Sequence, residues 1–167
     1  KVLSAKSSLQ ETLSIWDEKL IESGSVIILH RKLFIEKLKQ IATIVHSNIT
    51  NGRETLDISY APSIKIDGAN ELKNIRQAFE RQLSLYRKKE LEKGVTMIGP
   101  HRDDIEFMLN GIEVKNYASQ GQQRTVVLSL KMSEMEFMKE DLGEYPVLLL
   151  DDIMSELDKN RQNYLMK

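Results

Sequence analysis

Two carboxylates follow an aliphatic run near the end of the sequence. Residues 147–150 are Val-Leu-Leu-Leu, and Asp151 and Asp152 come directly after them. A buried parallel strand delivers the residues after its C-terminal end to the crevice where α/β sheets bind ligands. Asp151 could therefore hold a hydrated Mg²⁺ that bridges nucleotide phosphates, and Asp152 could orient or deprotonate an attacking water. Alone the pattern is weak, because apolar strands followed by Asp are common.

A second group of residues with possible chemistry, Ser119 to Gln122, lies at the start of a predicted helix. Ser119 and Gln122 have the spacing of a capping box, which explains both residues without any ligand. Gly121 is not explained by capping, since Gly in a helix costs on the order of 1 kcal/mol relative to Ala. A close approach of its backbone to another group is the better explanation. A helix start with a hydroxyl and a bare backbone is suited to bind phosphate.

Two further motifs have structural explanations of their own. Ser155-Glu156-Leu157-Asp158 follows the carboxylate pair, and by itself it indicates only that Asp158 caps a last helix. His101 with Asp103 and Asp104 could form a metal cluster, although a Gly-Pro turn with polar neighbours is the favoured interpretation. We therefore assign this segment, Gly99 to Asp104, no catalytic role.

The first half of the chain is predicted to be mainly helical. Apolar residues recur there at three- and four-residue spacing, which is typical of amphipathic helices: Ile15, Trp16, Leu20, Ile21, Leu33, Phe34, Leu38, Ile41, Ile44 and Val45. Asn51-Gly52 predicts a turn, and the alternation from Leu56 to Tyr60 predicts a half-buried strand that ends at Ala61-Pro62. A second helix is expected from Glu71 to about Lys93, with Gly94 as its C-cap.

The pattern changes after Gly94. Residues 95–98 predict a short strand, and Asn110-Gly111 predicts a hairpin between the alternating residues 105–109 and 112–114. A helix is expected over 120–138, then a loop at 141–145, the buried strand at 147–150 and a last helix from near Asp158.

Composition bounds the class of protein. The chain has 167 residues, of which 41% are hydrophobic and 29% charged, so a folded chain of one or two domains is expected. There is no cysteine and no apolar run long enough to span a bilayer, which predicts a soluble, cytoplasmic protein. The net charge of −1 gives no basic excess from which DNA binding could be inferred.

The order of the motifs is more specific than any one of them. A Ser-x-Gly-Gln helix start, an aliphatic strand ending in two acids, and Ser-x-Leu-Asp together resemble the head of ABC-type ATPases. The resemblance implies that the signature motif comprises Ser119, Gln120, Gly121 and Gln122, that Asp151 is the Walker B magnesium ligand, that Asp152 is the catalytic acid, and that Asp158 belongs to the D-loop. Most such heads have Glu in place of Asp152 and many have Gly in place of Gln120; a shorter acid would suit slow hydrolysis used as a switch.

Within this class, three segments resemble RecF-type DNA repair ATPases, which are related to SMC proteins: Gly99 to Asp104, Tyr117 to Thr125 and Leu150 to Asp158. The resemblance implies an α/β fold, with part of an ABC-type ATPase head over 94–167 and a mainly helical second lobe over 1–93. It also implies an ATP-dependent homodimer in which Ser119 and Gly121 of one subunit reach the γ-phosphate held by the other. The implied ligands and partners are ATP, Mg²⁺, junctions of single- and double-stranded DNA, and RecO and RecR, which help load RecA during recombinational repair and the SOS response.

The phosphate-binding loop of such ATPases, Gly-x-x-x-x-Gly-Lys-Ser/Thr, has no match in this sequence. The nearest spacing is Gly94 to Gly99, but Pro100 and His101 follow it. We therefore expect a fragment that alone neither hydrolyses ATP nor binds it tightly, whereas the complete protein would be a weak ATPase.

Two alternatives remain open from the sequence. The first is the ATPase subunit of an ABC transporter, against which stand Asp152, the segment from Gly99 to Asp104, and Ile153-Met154 where transporters have Pro-Thr. The second is a non-enzymatic interaction module whose motifs are only helix caps.

Overall fold

The computed structural model describes residues 2–66, 71–147, 149 and 162, and it describes the side chains of these residues except 2–11 and 141. The elements, in chain order, are helix α1 (Val2–Ile49), strand β1 (Leu56–Ala61), helix α2 (Leu72–Lys93), a 3₁₀ turn (Pro100–Arg102), strands β2 (Asp104–Leu109) and β3 (Ile112–Glu113), and helices α3 (Val114–Tyr117) and α4 (Gln120–Leu142). The described part of the chain is thus mainly helical, with one small sheet.

Two compact units are formed, each from two stretches of chain. The first unit comprises residues 1–33 and 60–105, and the second comprises residues 34–59 and 106–167. Helix α1 contributes to both. The predicted division into a mainly helical lobe over 1–93 and part of an ATPase head over 94–167 stays a prediction.

The core of the first unit lies around Phe79 of α2, which is fully buried. The other buried members of this cluster come from α1, α2 and the segments beside them: Ile28, Ile64, Ile75, Leu83 and Ile98. Helix α2 therefore packs with the face that the apolar spacing predicts. It ends at Gly94, whose φ of 67° is left-handed and whose N–H donates to the carbonyl of Glu90, so the predicted C-cap is confirmed.

In the second unit, α1 packs with the face that carries Ile35, Leu38, Ala42, Val45 and Ile49, all buried at three- and four-residue spacing. Val45 and Ile49 form a cluster with Leu128 of α4. The prediction of a helix is confirmed, but the predicted face is partly wrong: Ile15, Trp16, Leu33, Phe34 and Ile44 are exposed. The stripe on so long a helix rotates slowly about its axis, and spacing alone does not fix which edge of a broad apolar face is covered.

The small sheet has the strand order β1-β2-β3. Strands β2 and β3 form the predicted hairpin, with Leu109 opposite Ile112, and both turn residues have positive φ, 51° at Asn110 and 80° at Gly111. Asn110 also connects the turn to the start of β1, since its N–H donates to the Thr55 carbonyl at 3.0 Å and its side chain accepts from the Thr55 N–H at 2.9 Å. The returning strand ends at Glu113, one residue earlier than predicted, because α3 begins at Val114.

Two predicted strands are wrong where the structure describes them. Residues 95–98 form no strand: residues 95 and 98 are bends, and residues 96 and 97 have no regular secondary structure. Their backbone is satisfied by side chains, because Met97 N–H donates to the buried Glu90 carboxylate at 2.7 Å and Arg102 donates to the Thr96 carbonyl at 3.1 Å.

The second is the buried strand at 147–150. Its two described residues, Val147 and Leu149, lie outside regular secondary structure and are 89% and 90% exposed. An aliphatic strand becomes buried only when neighbouring strands and helices cover it, and the described sheet does not include this run.

Candidate nucleotide half-site

Helix α4 begins with a complete capping box. The Ser119 hydroxyl accepts from the Gln122 N–H at 3.3 Å, and the Gln122 side-chain oxygen accepts from the Ser119 N–H at 3.0 Å. This confirms the capping interpretation of Ser119 and Gln122. It also fixes the first turn of a helix whose N-terminal end, with the aligned peptide dipoles behind it, favours an anion.

Gly121 lies in this first turn and is exposed. Among the residues that the structure describes, a Cβ added to it would meet no heavy atom within 4 Å. Its φ is not in the positive region that favours glycine, so the described chain contains no steric reason for Gly at this position. Ser119 and Gln120 are exposed as well, so three of the four predicted signature residues form one open, amide-rich surface.

Gln122 faces the other way and is half-buried. Its side-chain amide donates to one oxygen of Glu54 at 2.9 Å, while its own oxygen is used by Ser119. Both ends of this side chain therefore have partners within the chain. Within the chain, Gln122 thus connects the helix start to Glu54. Its predicted role in binding ATP stays a prediction.

Glu54 belongs to a polar chain that the sequence did not indicate. Its second carboxylate oxygen lies 3.2 Å from Nε2 of His46, a fully buried side chain of α1. The other ring nitrogen, Nδ1, lies 2.8 Å from the hydroxyl of Ser129, which is also fully buried. Glu54 and Gln122 are 68 residues apart, and no local pattern in a single sequence connects them.

The remaining predicted site residues, Asp151, Asp152 and Asp158, lie outside the described residues. Their predicted roles, as magnesium ligand, catalytic acid and D-loop residue, stay predictions. Within the ranges that the structure covers, no group of three or more His, Asp or Glu side chains could hold a metal ion.

The segment from Gly99 to Asp104 has a structural role in the first unit. The Asp103 carboxylate is almost fully buried and lies 3.7 Å from the Arg31 guanidinium; it also accepts from Ser63 N–H at 2.7 Å and from the hydroxyl of Tyr60. Burial raises the pKa of Tyr60, and the hydrogen bond to Asp103 raises it further. Asp103 is thus used in an internal network, which supports the turn interpretation over a metal site.

Gly99 closes the same turn. Its φ of 126° is strained for other residues, and its N–H and carbonyl both bond to the Ser63 hydroxyl, at 2.8 and 3.0 Å.

None of the helices described is both long enough and apolar enough to cross a membrane.

Comparison with known proteins identifies the class of protein to which this fold belongs. A scan against protein-family models finds no match. Two solved structures do match, described as the recombination mediator protein RecF in the RecFOR pathway, as RecF-ATP and as RecF-ATPrS. Both are 42% identical to this chain; the TM-scores are 0.84 over 93% of the chain and 0.85 over 94%. The chain therefore has the α/β, mainly helical fold of part of an ABC-type ATPase head.

Curated relatives give the family within that class. Proteins named DNA replication and repair protein RecF are 42% identical in Alkaliphilus oremlandii, over 99% of this chain, and 48% identical in Enterococcus faecalis, over 93%. This chain is homologous to RecF proteins over nearly its whole length, as its motifs predict. It spans less than half of these relatives, 46% and 42% of their lengths.

Proposed function

We propose that this chain is the signature half of a shared ATP site in a RecF-type protein of recombinational DNA repair and replication. In the complete protein, two subunits would dimerise around ATP on DNA, at junctions of single and double strands. Together with RecO and RecR, the dimer would help load RecA onto single-stranded DNA. Hydrolysis would be slow and would release the dimer.

The open surface at Ser119 to Gly121 is the observation that carries this proposal. A capped helix start that is exposed, with a Gly that no residue of the described chain requires, fits a phosphate group supplied from outside the chain. The likeness to RecF-ATP structures supports ATP as the source of that phosphate.

A ligand shared by two subunits favours their association by mass action. In the complete protein, Ser119 and Gly121 would contact the γ-phosphate held by the phosphate loop of the partner, which has no counterpart in this sequence. Asp151 would hold the Mg²⁺ and Asp152 would orient the attacking water of its own subunit. When bound, MgATP would contact both subunits at once and so stabilise the dimer relative to the separate subunits.

Ser119→Arg in the full-length protein tests the shared site. The long cationic side chain would fill the exposed surface where the partner's nucleotide should lie, so ATP should no longer promote dimerisation. Analytical ultracentrifugation with and without ATP measures this. Ser119→Ala is the comparison: it removes the cap, at a cost of roughly 1 kcal/mol in stability, together with the hydroxyl that would contact the phosphate, but it adds no bulk, so it should weaken ATP-promoted dimerisation less than Ser119→Arg does. A Ser119→Arg protein that still dimerises with ATP would refute the shared site.

Asp152→Asn in the full-length protein tests the proposed role of Asp152 in ATP hydrolysis. The amide cannot accept a proton from water, so ATP-bound dimers should form but persist for longer than those of the wild type. Dimers that form equally without nucleotide would instead favour an interaction module.

A further inference from the structure

The polar chain from Gln122 to Ser129 has more internal partners than a capping box needs. A capping box is complete once Ser119 and Gln122 bond to each other. Here the Gln122 amide also donates to Glu54, Glu54 bonds to His46, and His46 bonds to Ser129, which lies about two turns further along α4 than Gln122. The carboxylate and the imidazole thus join two points on α4 through α1 and the loop that follows it.

Each carboxylate oxygen of Glu54 has its own nitrogen partner, Nε2 of His46 for one and the side-chain amide of Gln122 for the other. The Gln122 amide donates, and Nε2 of His46 donates to Glu54 in the tautomer that carries its proton on that nitrogen. Glu54 therefore holds two donors at once, one from α1 and one from α4.

Ser129, His46 and Glu54 are connected in the same order as the residues of a catalytic triad. This group nevertheless cannot act on a substrate. Ser129 and His46 are both fully buried, and the Ser129 hydroxyl lies 2.8 Å from the Thr125 carbonyl of its own helix. A nucleophile needs access to the reacting group, and none exists at this depth. The role of the arrangement must be to hold a position.

We propose that Glu54, supported by His46, is a positioning residue of the nucleotide half-site: it holds Gln122 and so fixes the open helix start at Ser119 to Gly121. This inference rests on the function proposed above and adds residues to it. A phosphate must meet several backbone amides at once, and small displacements of such groups weaken binding. The hydrogen bond from Gln122 to the Glu54 carboxylate, behind the helix start, would limit those displacements.

The decisive test exchanges the two side chains. In Glu54→Gln, one amide oxygen faces two donors, so one donor loses its partner although the side-chain volume hardly changes. In Gln122→Glu, two carboxylates face each other at hydrogen-bond distance. In the double variant Glu54→Gln with Gln122→Glu, every bond can form again: the new amide accepts from His46 and donates to the new carboxylate, which accepts from Ser119 N–H.

The ATP concentration for half-maximal dimerisation of the full-length protein is the first readout. Each single change should raise it at least about fivefold, since an unpaired polar group costs about 1–3 kcal/mol when buried and the Glu54 side chain is only 17% exposed. The double variant should return to within about twofold of the wild type, which amounts to strong coupling in a double-mutant cycle. Gln123→Glu is the control, because it adds the same charge one residue further along, on an exposed side chain.

Hydrogen exchange of the nucleotide-free full-length protein is the second readout. Amides in residues 120–125 should exchange faster in each single variant and return to the wild-type rate in the double variant. Additive effects, or singles that dimerise at the wild-type ATP concentration, would overturn the inference. If the wild type itself does not respond to ATP, the proposed function fails, and hydrogen exchange alone then decides whether Glu54 positions the helix.

Discussion

Replacing Gly121 with Ala should have opposite effects on the stability of the protein and on its response to ATP. No heavy atom of a described residue lies within 4 Å of the added methyl group, and Gly121 is helical without positive φ. The change should therefore stabilise the nucleotide-free protein by about 0.4–1 kcal/mol, because Ala loses less backbone entropy than Gly. Equilibrium unfolding in denaturant measures this gain.

The same methyl group would occupy the space that we assign to the partner's nucleotide. Overpacking a close contact costs about 1–3 kcal/mol, so dimerisation should require about 5- to 150-fold more ATP. The predicted variant is thus more stable and less responsive to ATP, a combination that a purely structural role for Gly121 does not produce.

Gly24→Ala is the matched control within another helix. Its methyl group would lie 2.7 Å from Cε1 of Phe79 and 3.2 Å from Cδ of Pro100, and Phe79 is fully buried. Overpacking should exceed the helix gain of up to about 1 kcal/mol, so this protein should lose stability. If Gly121→Ala also loses stability, or dimerises at the wild-type ATP concentration, our explanation of this glycine is refuted.

Two further predictions concern the first unit. Phe79→Ala should lower the free energy of unfolding by about 3–5 kcal/mol, whereas Leu85→Ala on the exposed face of the same helix should change it by less than about 0.5 kcal/mol; comparable losses would contradict the assigned core. The raised pKa of Tyr60 means that its contribution to stability is complete below pH about 10 and declines as the pH rises further, because the unfolded chain ionises first. The difference in unfolding free energy between wild type and Tyr60→Phe should therefore shrink above that pH, and parallel pH curves would count against the buried bond to Asp103.

Local patterns were sufficient wherever an element depends on its own residues. The apolar spacing predicts α1 and α2, Gly94 predicts the end of α2, and Asn110-Gly111 predicts the hairpin, since only residues that accept positive φ suit that turn. The capping box at Ser119 belongs to the same group. Each of these features is decided within a few residues.

Local sequence patterns gave wrong strand predictions where residues distant in the sequence decide the conformation or the burial. Residues 95–98 have the composition of a strand, but a carboxylate from α2 and a guanidinium satisfy their backbone first. Val147 and Leu149 are apolar, yet burial needs covering strands and helices that the run does not carry itself.

The sequence by itself determined several helices and turns, the order of the motifs predicted to be signature, Walker B and D-loop, and the RecF proteins to which the chain is homologous. Only the tertiary structure showed that no described residue packs against Gly121 and that Glu54 accepts a hydrogen bond from Gln122, 68 residues away in the sequence. The physical reason is range: backbone preferences act over a few residues, whereas hydrogen bonds between side chains depend on which parts of the chain folding brings together.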